Sequence, residues 1–281
     1  MAGATGWAAN QFAPATDTYY VRALTGALRG YFFTVLGSDG TSVLIDDAGI
    51  DLTQLSAGDQ LELVPYWTLG TLYPASQTGV SFVASASSVL HQTELYMYDP
   101  AGIGSNRSPT ATYFYYNGAW RKTGSAIATS YSGVVVPPDT YIVQRNKAAG
   151  TVLTQMGRVH PSRLTTPIEA VAGTKQDNYV ALAYPVDVTL RGSGLAGSAA
   201  FTTSSSTVLH ADEVYVYDNT QTGINRAPAA TYYYYNGGWR KTGAPMTTDF
   251  GDTVTLTAGS GFVVRRAADE TTGTWSFDTN L

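Results

Sequence analysis

Two of the three histidines stand at equivalent places in the chain, and they are the residues best suited to metal binding or proton transfer. His91 precedes Glu94 by three residues, and His210 precedes Glu213 by the same spacing. A metal site would need one or two further ligands nearby, and no HxH or HExxH spacing supplies them. We therefore expect both histidines to be structural, each a polar side chain at the start of a strand, and we expect no bound metal.

Residues 218 to 225 are the next candidate for binding an ion. Oxygen-bearing side chains occupy alternating positions there, beginning with Asp218 and ending near Gly223, with a faint likeness to a calcium loop. The equivalent residues 99 to 104 lack those side chains. The sequence therefore favours an ordinary turn closed by the aspartate side chain.

Hydrolytic chemistry requires a nucleophile with a base in reach, or two carboxylates that flank a bond. No sequence context selects such a pair from the scattered acids Asp46, Asp47, Asp51, Glu62, Asp187, Asp212, Asp249 and Asp252. GxSxG is absent, and the glycines of residues 192 to 197 do not follow the strand–helix pattern of a phosphate cradle. Cysteine is also absent, which excludes thiolate nucleophiles, disulfides and cysteine-ligated zinc. We expect no catalytic residues and no cofactor.

An internal repeat organises the chain around these residues. Residues 89–99 match 208–218 at seven of eleven positions, and 104–124 match 223–243 at sixteen of twenty-one, both at an offset of 119. Weaker matches join 141–146 to 261–266, and 61–69 to 179–190. We expect a leading β segment at 1–56 packed on the first unit, a first unit at 57–163 and a second unit at 177–281. The boundary is predicted near His160 and Pro161, because X-Pro steps disfavour continued regular structure.

The elements of each unit read as β-strands, so the predicted fold class is all-β, with tandem β-sandwich or barrel-like units. Asn117-Gly118 and Asn236-Gly237 lie between runs of β-forming residues and predict two-residue type I′ hairpins. That turn sets the register and places Tyr234 opposite Trp239. We expect Trp239 and its equivalent Trp120 to face the core.

The opposite face of each hairpin is the predicted binding surface. Eleven of the twenty tyrosines lie in the four matched strands, too many to bury in one core, so some rings must face solvent, another domain or a partner. Position 114, equivalent to Tyr233, holds Phe114 instead of tyrosine. The candidate binding residues are Tyr116, Arg121, Tyr233, Tyr235 and Arg240.

Composition limits the class of protein. Only 13% of the 281 residues are charged while 44% are hydrophobic, which is typical of β-sandwiches and of extracellular or virion surfaces. A net charge of −5 without any run of like charges disfavours nucleic acid and anionic membranes as partners. Residues 1 to 10 have neither the basic nor the apolar region of a signal peptide. We expect a mature secreted protein, or alternatively a phage structural protein.

The repeated motifs resemble an uncharacterised family of secreted bacterial proteins. In the first unit they are WTLGTL at 67–72, ELYMYD at 94–99, YYNGAWRKTG at 115–124 and PPDTYIVQRN at 137–146. In the second they are VALAYPVDVTL, EVYVYD, YYYYNGGWRKTG and AGSGFVVRR. The resemblance covers most of the chain and implies export and a β fold, but it implies no activity.

These observations together predict a non-enzymatic extracellular structural or adhesive protein. It would act at the cell surface or outside the cell through contacts with other protein subunits or with its own copies, and it could self-assemble. The alternatives are a carbohydrate-binding module that stacks sugars on the tyrosines, a phage or viral structural protein, and an enzyme of a type that no motif reveals.

Overall fold

The computed structural model describes residues 6–12, 18–147, 150–155, 163–182, 185–268 and 270–278. The boundary predicted around His160 and Pro161 lies outside these residues. Within them the chain is almost entirely β, as predicted, with a single turn of α-helix, α1 at Leu69–Leu72, and three short 3-10 turns. None of the helices in the described ranges has the length and apolar composition needed to cross a membrane.

The leading segment forms a four-stranded sheet with β4, which lies beyond residue 56 in the predicted first unit, and the strand order is β3-β2-β1-β4. Alternation of apolar and polar residues in β2 buries Phe33 and Val35 on one face. Strands β2 and β3 pair as an antiparallel hairpin, with a bulge between Val35 and Gly37. The strands are β1 at Tyr19–Ala23, β2 at Phe32–Ser38, β3 at Val43–Ile45 and β4 at Leu61–Pro65.

The first unit follows directly, with a four-stranded antiparallel sheet in the order β10-β6-β7-β8. Two further short strands, β5 and β9, pair beside it. Helix α1 begins with a reciprocal capping box between Thr68 and Thr71. The strands are β5 at Trp67–Thr68, β6 at Thr93–Met97, β7 at Ala111–Tyr116, β8 at Ala119–Lys122, β9 at Val135–Val136 and β10 at Ile142–Asn146.

The second unit has the same arrangement with additional strands. Its main sheet runs in the order β12-β18-β14-β15-β16, and β13 pairs with β17 as β5 does with β9. A two-stranded ladder, β11 with β19, closes the large core beside it, and β11 lies before residue 177, where the second unit was predicted to begin. The strands are β11 at Leu164–Ile168, β12 at Gln176–Ala181, β13 at Val188–Thr189, β14 at Glu213–Val216, β15 at Ala230–Tyr235, β16 at Gly238–Lys241, β17 at Thr255–Leu256, β18 at Gly261–Arg266 and β19 at Gly273–Phe277.

Both Asn-Gly turns form the predicted two-residue hairpin loops. Asn117 and Asn236 have φ of 47°, and the glycines that follow are also at positive φ, as a type I′ turn requires. Trp120 pairs with Tyr115, and Trp239 pairs with Tyr234. The two tryptophans are 0% and 1% exposed, so the assignment of that face to the core is confirmed.

The two main sheets differ at one edge. Strands β10-β6-β7-β8 and β18-β14-β15-β16 stand in the same order, but only β18 carries a further strand, β12. Residues 61–69, which weakly match 179–190, begin with β4, and β4 pairs with β1 of the leading sheet. Every sheet in the described ranges stays open, so the barrel-like alternative is not found.

Tyrosines join the two units. The ring of Tyr98 stacks on Tyr179 with centroids 4.0 Å apart, and Tyr141 lies 5.4 Å from Tyr179. The guanidinium of Arg107 also lies over the ring of Tyr179, 5.1 Å from its centroid. Burial raises the pKa of Tyr179 to about 12. Some of the tyrosines therefore pack one unit against the other.

Polar contacts hold the same junction. Asp177 accepts hydrogen bonds from Arg265 Nε and from the backbone N–H of Asn106, both at 2.6 Å. Gln176 accepts from the N–H of Gly104 at 2.7 Å. Because Asp177 is only 2% exposed, its charge is compensated inside the junction, and the loop that precedes β7 is fixed against β12.

The leading sheet contacts the second unit. The N–H of Thr165 donates to the carbonyl of Gly30 at 3.0 Å, and Arg29 forms an ion pair with Asp278 at 3.0 Å. Phe32 packs against the large core of the second unit. The leading segment is thus tied to the far end of the chain as well as being continuous with the first unit.

Gly261→Ala should lower the free energy of unfolding by about 1–3 kcal/mol through overpacking of the junction. A Cβ at this position would lie 2.2 Å from Cε2 of Tyr141 and 3.2 Å from the carbonyl oxygen of Val180. Urea unfolding followed by tryptophan fluorescence measures the loss. Gly197→Ala is the matched control, because a Cβ there meets nothing within 4 Å. Equal losses in both variants would contradict this assignment of the junction.

Candidate functional site

The hairpin face opposite the tryptophans carries the residues predicted for binding, but the structure covers much of it. Tyr233 is 2% exposed, and Arg121 is 9% exposed. The Arg121 guanidinium donates to the carbonyls of Tyr116, Ala128 and Asn117. Its hydrogen-bonding capacity is therefore used within its own hairpin.

The remaining predicted binding residues are half-buried. Tyr116 and Tyr235 stand at the ends of β7 and β15, and Arg240 donates to the carbonyl of Thr248 at 2.9 Å. No tyrosine in the described ranges is fully exposed. This face thus differs from the open row of rings that the sequence led us to expect, because a loop from each unit folds over it.

A histidine fastens that loop in each unit. The ring of His91 stacks on Phe114 with centroids 3.6 Å apart, and the ring of His210 stacks on Tyr233 at the same distance. His91 Nδ1 lies 2.8 Å from Glu94 Oε1, and its Nε2 lies 3.2 Å from the carbonyl oxygen of Ser88. The second unit repeats these distances to within 0.1 Å. Both ring nitrogens are engaged, which supports the structural role predicted for the histidines.

The glutamate extends each histidine contact into a hydrogen-bonded chain. The hydroxyl of Tyr96 donates to Glu94 Oε2 at 3.0 Å and accepts from Arg145 Nη1 at 2.7 Å. Burial raises the pKa of Glu94, but hydrogen bonds from His91 and Tyr96, with the charge of Arg145, outweigh it and leave that pKa below the ordinary 4.5. In the second unit Arg265 lies instead over the ring of the equivalent Tyr215, 4.6 Å from its centroid.

Each fastened loop exposes a valine and a leucine. We call residues 87–91 and 206–210 the apolar tips. Val89 and Leu90 are 78% and 65% exposed, and Val208 and Leu209 are 80% and 79% exposed. The hydroxyl of Ser87 accepts from the N–H groups of both Val89 and Leu90, and the equivalent serine does the same in the second unit. The apolar side chains are thus presented on a backbone that is held in place.

The first unit also has an apolar cavity of about 250 Å³ beside β10. Residues of the second unit, including Gly259 and Ser260, bound it on one side. Trp67 lines the cavity and is 45% exposed, so the cavity opens to solvent. The other first-unit residues that line it are Leu72, Tyr73, Val136, Pro137, Pro138, Thr140, Tyr141, Ile142 and Leu153.

The loop that the sequence likened to a calcium site is a turn. Asp218 Oδ1 accepts from the N–H and hydroxyl of Thr220, so residues 218 to 221 form the predicted aspartate-closed turn. Among the residues that the structure describes, no three histidine, aspartate or glutamate side chains are grouped as metal ligands would be.

The apolar tips were not predicted. The sequence placed VLH at the start of a strand, whereas β6 and β14 begin only after it. The signal that could have identified the tips is the serine-rich run before each VLH, because serine side chains commonly cap turns. The cavity had no sequence signal, since residues far apart in the chain line it together.

Acidification should weaken the fastening of the first tip. A carboxyl group whose folded pKa is depressed contributes stability above its unfolded pKa and loses that contribution as the pH falls through the folded value. Wild type should therefore exceed Glu94→Gln in stability by about 1 kcal/mol at pH 7. The difference should shrink as the pH falls below 4.5. The measurement is the melting temperature of both proteins across pH 3–8. A difference between them that stays constant with pH would contradict the prediction.

Comparison with known proteins leaves the site to be interpreted from its own geometry. No protein-family model, curated protein or solved structure matches the chain. The resemblance to secreted bacterial proteins therefore stays a prediction.

Proposed function

We propose that this is a non-enzymatic extracellular structural or adhesive protein that acts by contacting other polypeptides, including its own copies. The observation that carries the proposal is the pair of apolar tips. Scattered exposed apolar residues are common on protein surfaces. Here the same two residues are exposed at equivalent places in both units, on loops fixed by the same serine and histidine contacts.

The energetics favour contact through both tips together. Burial of a valine or leucine side chain contributes about 1.5–3 kcal/mol, so the four side chains together contribute about 6–12 kcal/mol. Association costs roughly 4–15 kcal/mol in lost freedom of motion. One tip contributes about 3–6 kcal/mol, at the lower end of this cost, whereas two tips on one chain together reach the middle of its range. A fixed loop also loses little further entropy on binding.

The side-chain chemistry supports binding over turnover. Both nitrogens of His91 and of His210 are occupied, and the conspicuous arginines Arg121 and Arg265 are engaged with carbonyls or with Asp177. The carbohydrate-binding alternative loses its tyrosine platform, because those rings are at least half-buried. Among the described residues it retains one exposed aromatic side chain, Trp67.

Self-association is the direct test of this proposal. Size-exclusion chromatography with light scattering should show a mass that rises above the 29.8 kDa of one chain as concentration increases. Replacing Val89, Leu90, Val208 and Leu209 with serine should abolish the rise without lowering the melting temperature, because these side chains are exposed in the single chain.

The matched control replaces four exposed apolar residues outside the tips, Leu36, Leu44, Val80 and Val152, with serine. This variant should still associate. A wild-type mass that stays at one chain throughout the series would contradict self-association. Binding to a polysaccharide panel that Trp67→Ala abolishes would then favour the carbohydrate alternative.

A further inference from the structure

The two edges of the first-unit sheet are treated differently. At β8 the N–H of Trp120 donates to Ser132 Oγ, and its carbonyl accepts from the N–H of Tyr131, so a neighbouring segment covers that edge. At β10 no other strand in the described part of the chain pairs with the edge that faces away from β6. Uncovered edges expose backbone groups that can pair with another strand.

The ladder identifies which groups of β10 are turned outward. Arg145 is opposite Glu94, and Lys147 N–H continues the ladder to the carbonyl of Gln92 at 2.9 Å. Odd-numbered residues therefore direct their backbone groups to β6, and Ile142, Gln144 and Asn146 direct theirs to the open edge.

The second unit shows what occupies the equivalent edge. Strand β12 pairs antiparallel with β18 along its whole length, with Val180 opposite Phe262 and Asp177 opposite Arg265. Val180 is 1% exposed, and with Leu182 it belongs to the second-unit core. The edge strand thus contributes both ladder hydrogen bonds and core side chains.

The first unit lacks those core side chains and has the cavity in their place. Ile142 is the equivalent of Phe262, since Arg145 and Arg265 are opposite the equivalent residues Glu94 and Glu213. Ile142 lines the 250 Å³ cavity. This volume lies below the 300–1,000 Å³ that is usual for small-molecule sites and suits a few aliphatic side chains instead.

The charge of Arg145, at this edge, has no acidic partner on the outer side of β10 among the described residues, unlike the charge of Arg265. Arg265 is only 13% exposed and is held by Asp177 of β12 at 2.6 Å. Arg145 is 32% exposed, and its carboxylate neighbour Glu94 lies on the adjacent strand, at 3.4 Å. A strand added to β10 in the register of β12 would place a side chain opposite Arg145 where Asp177 is opposite Arg265.

We propose that β10 receives an extended segment of a partner polypeptide as an antiparallel strand. The segment has apolar side chains at alternate positions, which enter the cavity, and an acidic side chain opposite Arg145. All strands in the described ranges of this chain are already paired, so we assign the segment to a different polypeptide. The inference deepens the proposed function, but it concerns a surface separate from the apolar tips.

A labelled peptide with the β12 sequence KQDNYVAL, titrated into the full chain, tests the proposal by fluorescence anisotropy. We expect saturable binding, together with a change in the tryptophan fluorescence of the protein that Trp67→Phe removes. Replacing the peptide's valine and leucine with asparagine should abolish binding, because the cavity would then receive polar side chains. Failure of this binding while the tips still mediate association would overturn the strand proposal alone.

Charge exchange locates the peptide at β10. Arg145→Glu should weaken binding at least tenfold, and a peptide with lysine in place of its aspartate should bind that variant but not wild type. Lys122→Glu on β8 is the control for net charge and should leave affinity unchanged. If Arg145→Glu lowers the melting temperature, the test is made with wild type and the two peptides. Wild-type affinities for the aspartate peptide and the lysine peptide that lie within twofold of each other would overturn the proposal.

Discussion

The type I′ geometry of the two Asn-Gly turns fixes the register of each hairpin, and the rest of each unit is arranged around that register. Both turn residues must adopt positive φ, which asparagine and glycine tolerate. One face of the hairpin then carries the tryptophan, whose indole is enclosed by the core, and the other carries Phe114 or Tyr233. A slip of one residue would exchange these faces. The histidine that fastens each apolar tip stacks on the second face, so the tips depend on the same turns.

The two units have different side-chain pairs at one equivalent buried position. Arg266 and Asp212 form a buried ion pair, with Arg266 Nε 2.7 Å from Asp212 Oδ2. The N–H groups at Nε and Nη1 of Arg266 are not aligned for a hydrogen bond. Burial raises the pKa of Asp212 even beside this arginine. At the equivalent place in the first unit the hydroxyl of Thr93 donates to Asn146 at 2.8 Å. A neutral pair avoids the cost of removing two charges from water, so the smaller first-unit core bears a smaller penalty.

Packing between the units explains the tyrosine content better than an open binding face does. Tyr98, Tyr141 and Tyr179 contact one another across the junction. Tyrosine suits such a place because its ring buries a large apolar area while its hydroxyl can stay hydrated or hydrogen-bonded. The surfaces that we propose for partners are largely apolar: the valine and leucine of each tip, and the cavity beside the open edge of β10.

The sequence by itself determined the strands, the hairpin turns, their register and the burial of both tryptophans, because these follow from local backbone preferences and a period of two. It also predicted a structural role for His91 and His210, and the contacts of both rings support that role. Only the tertiary structure decided that β4 joins the leading sheet while β12 joins β18. The weak match of residues 61–69 to 179–190 does not select a partner strand, and pairing is settled by which edge the folded chain brings within hydrogen-bonding distance. The covering of Tyr233 and the exposure of the tips were likewise decided by a loop crossing a sheet face, a long-range contact that no local pattern encodes.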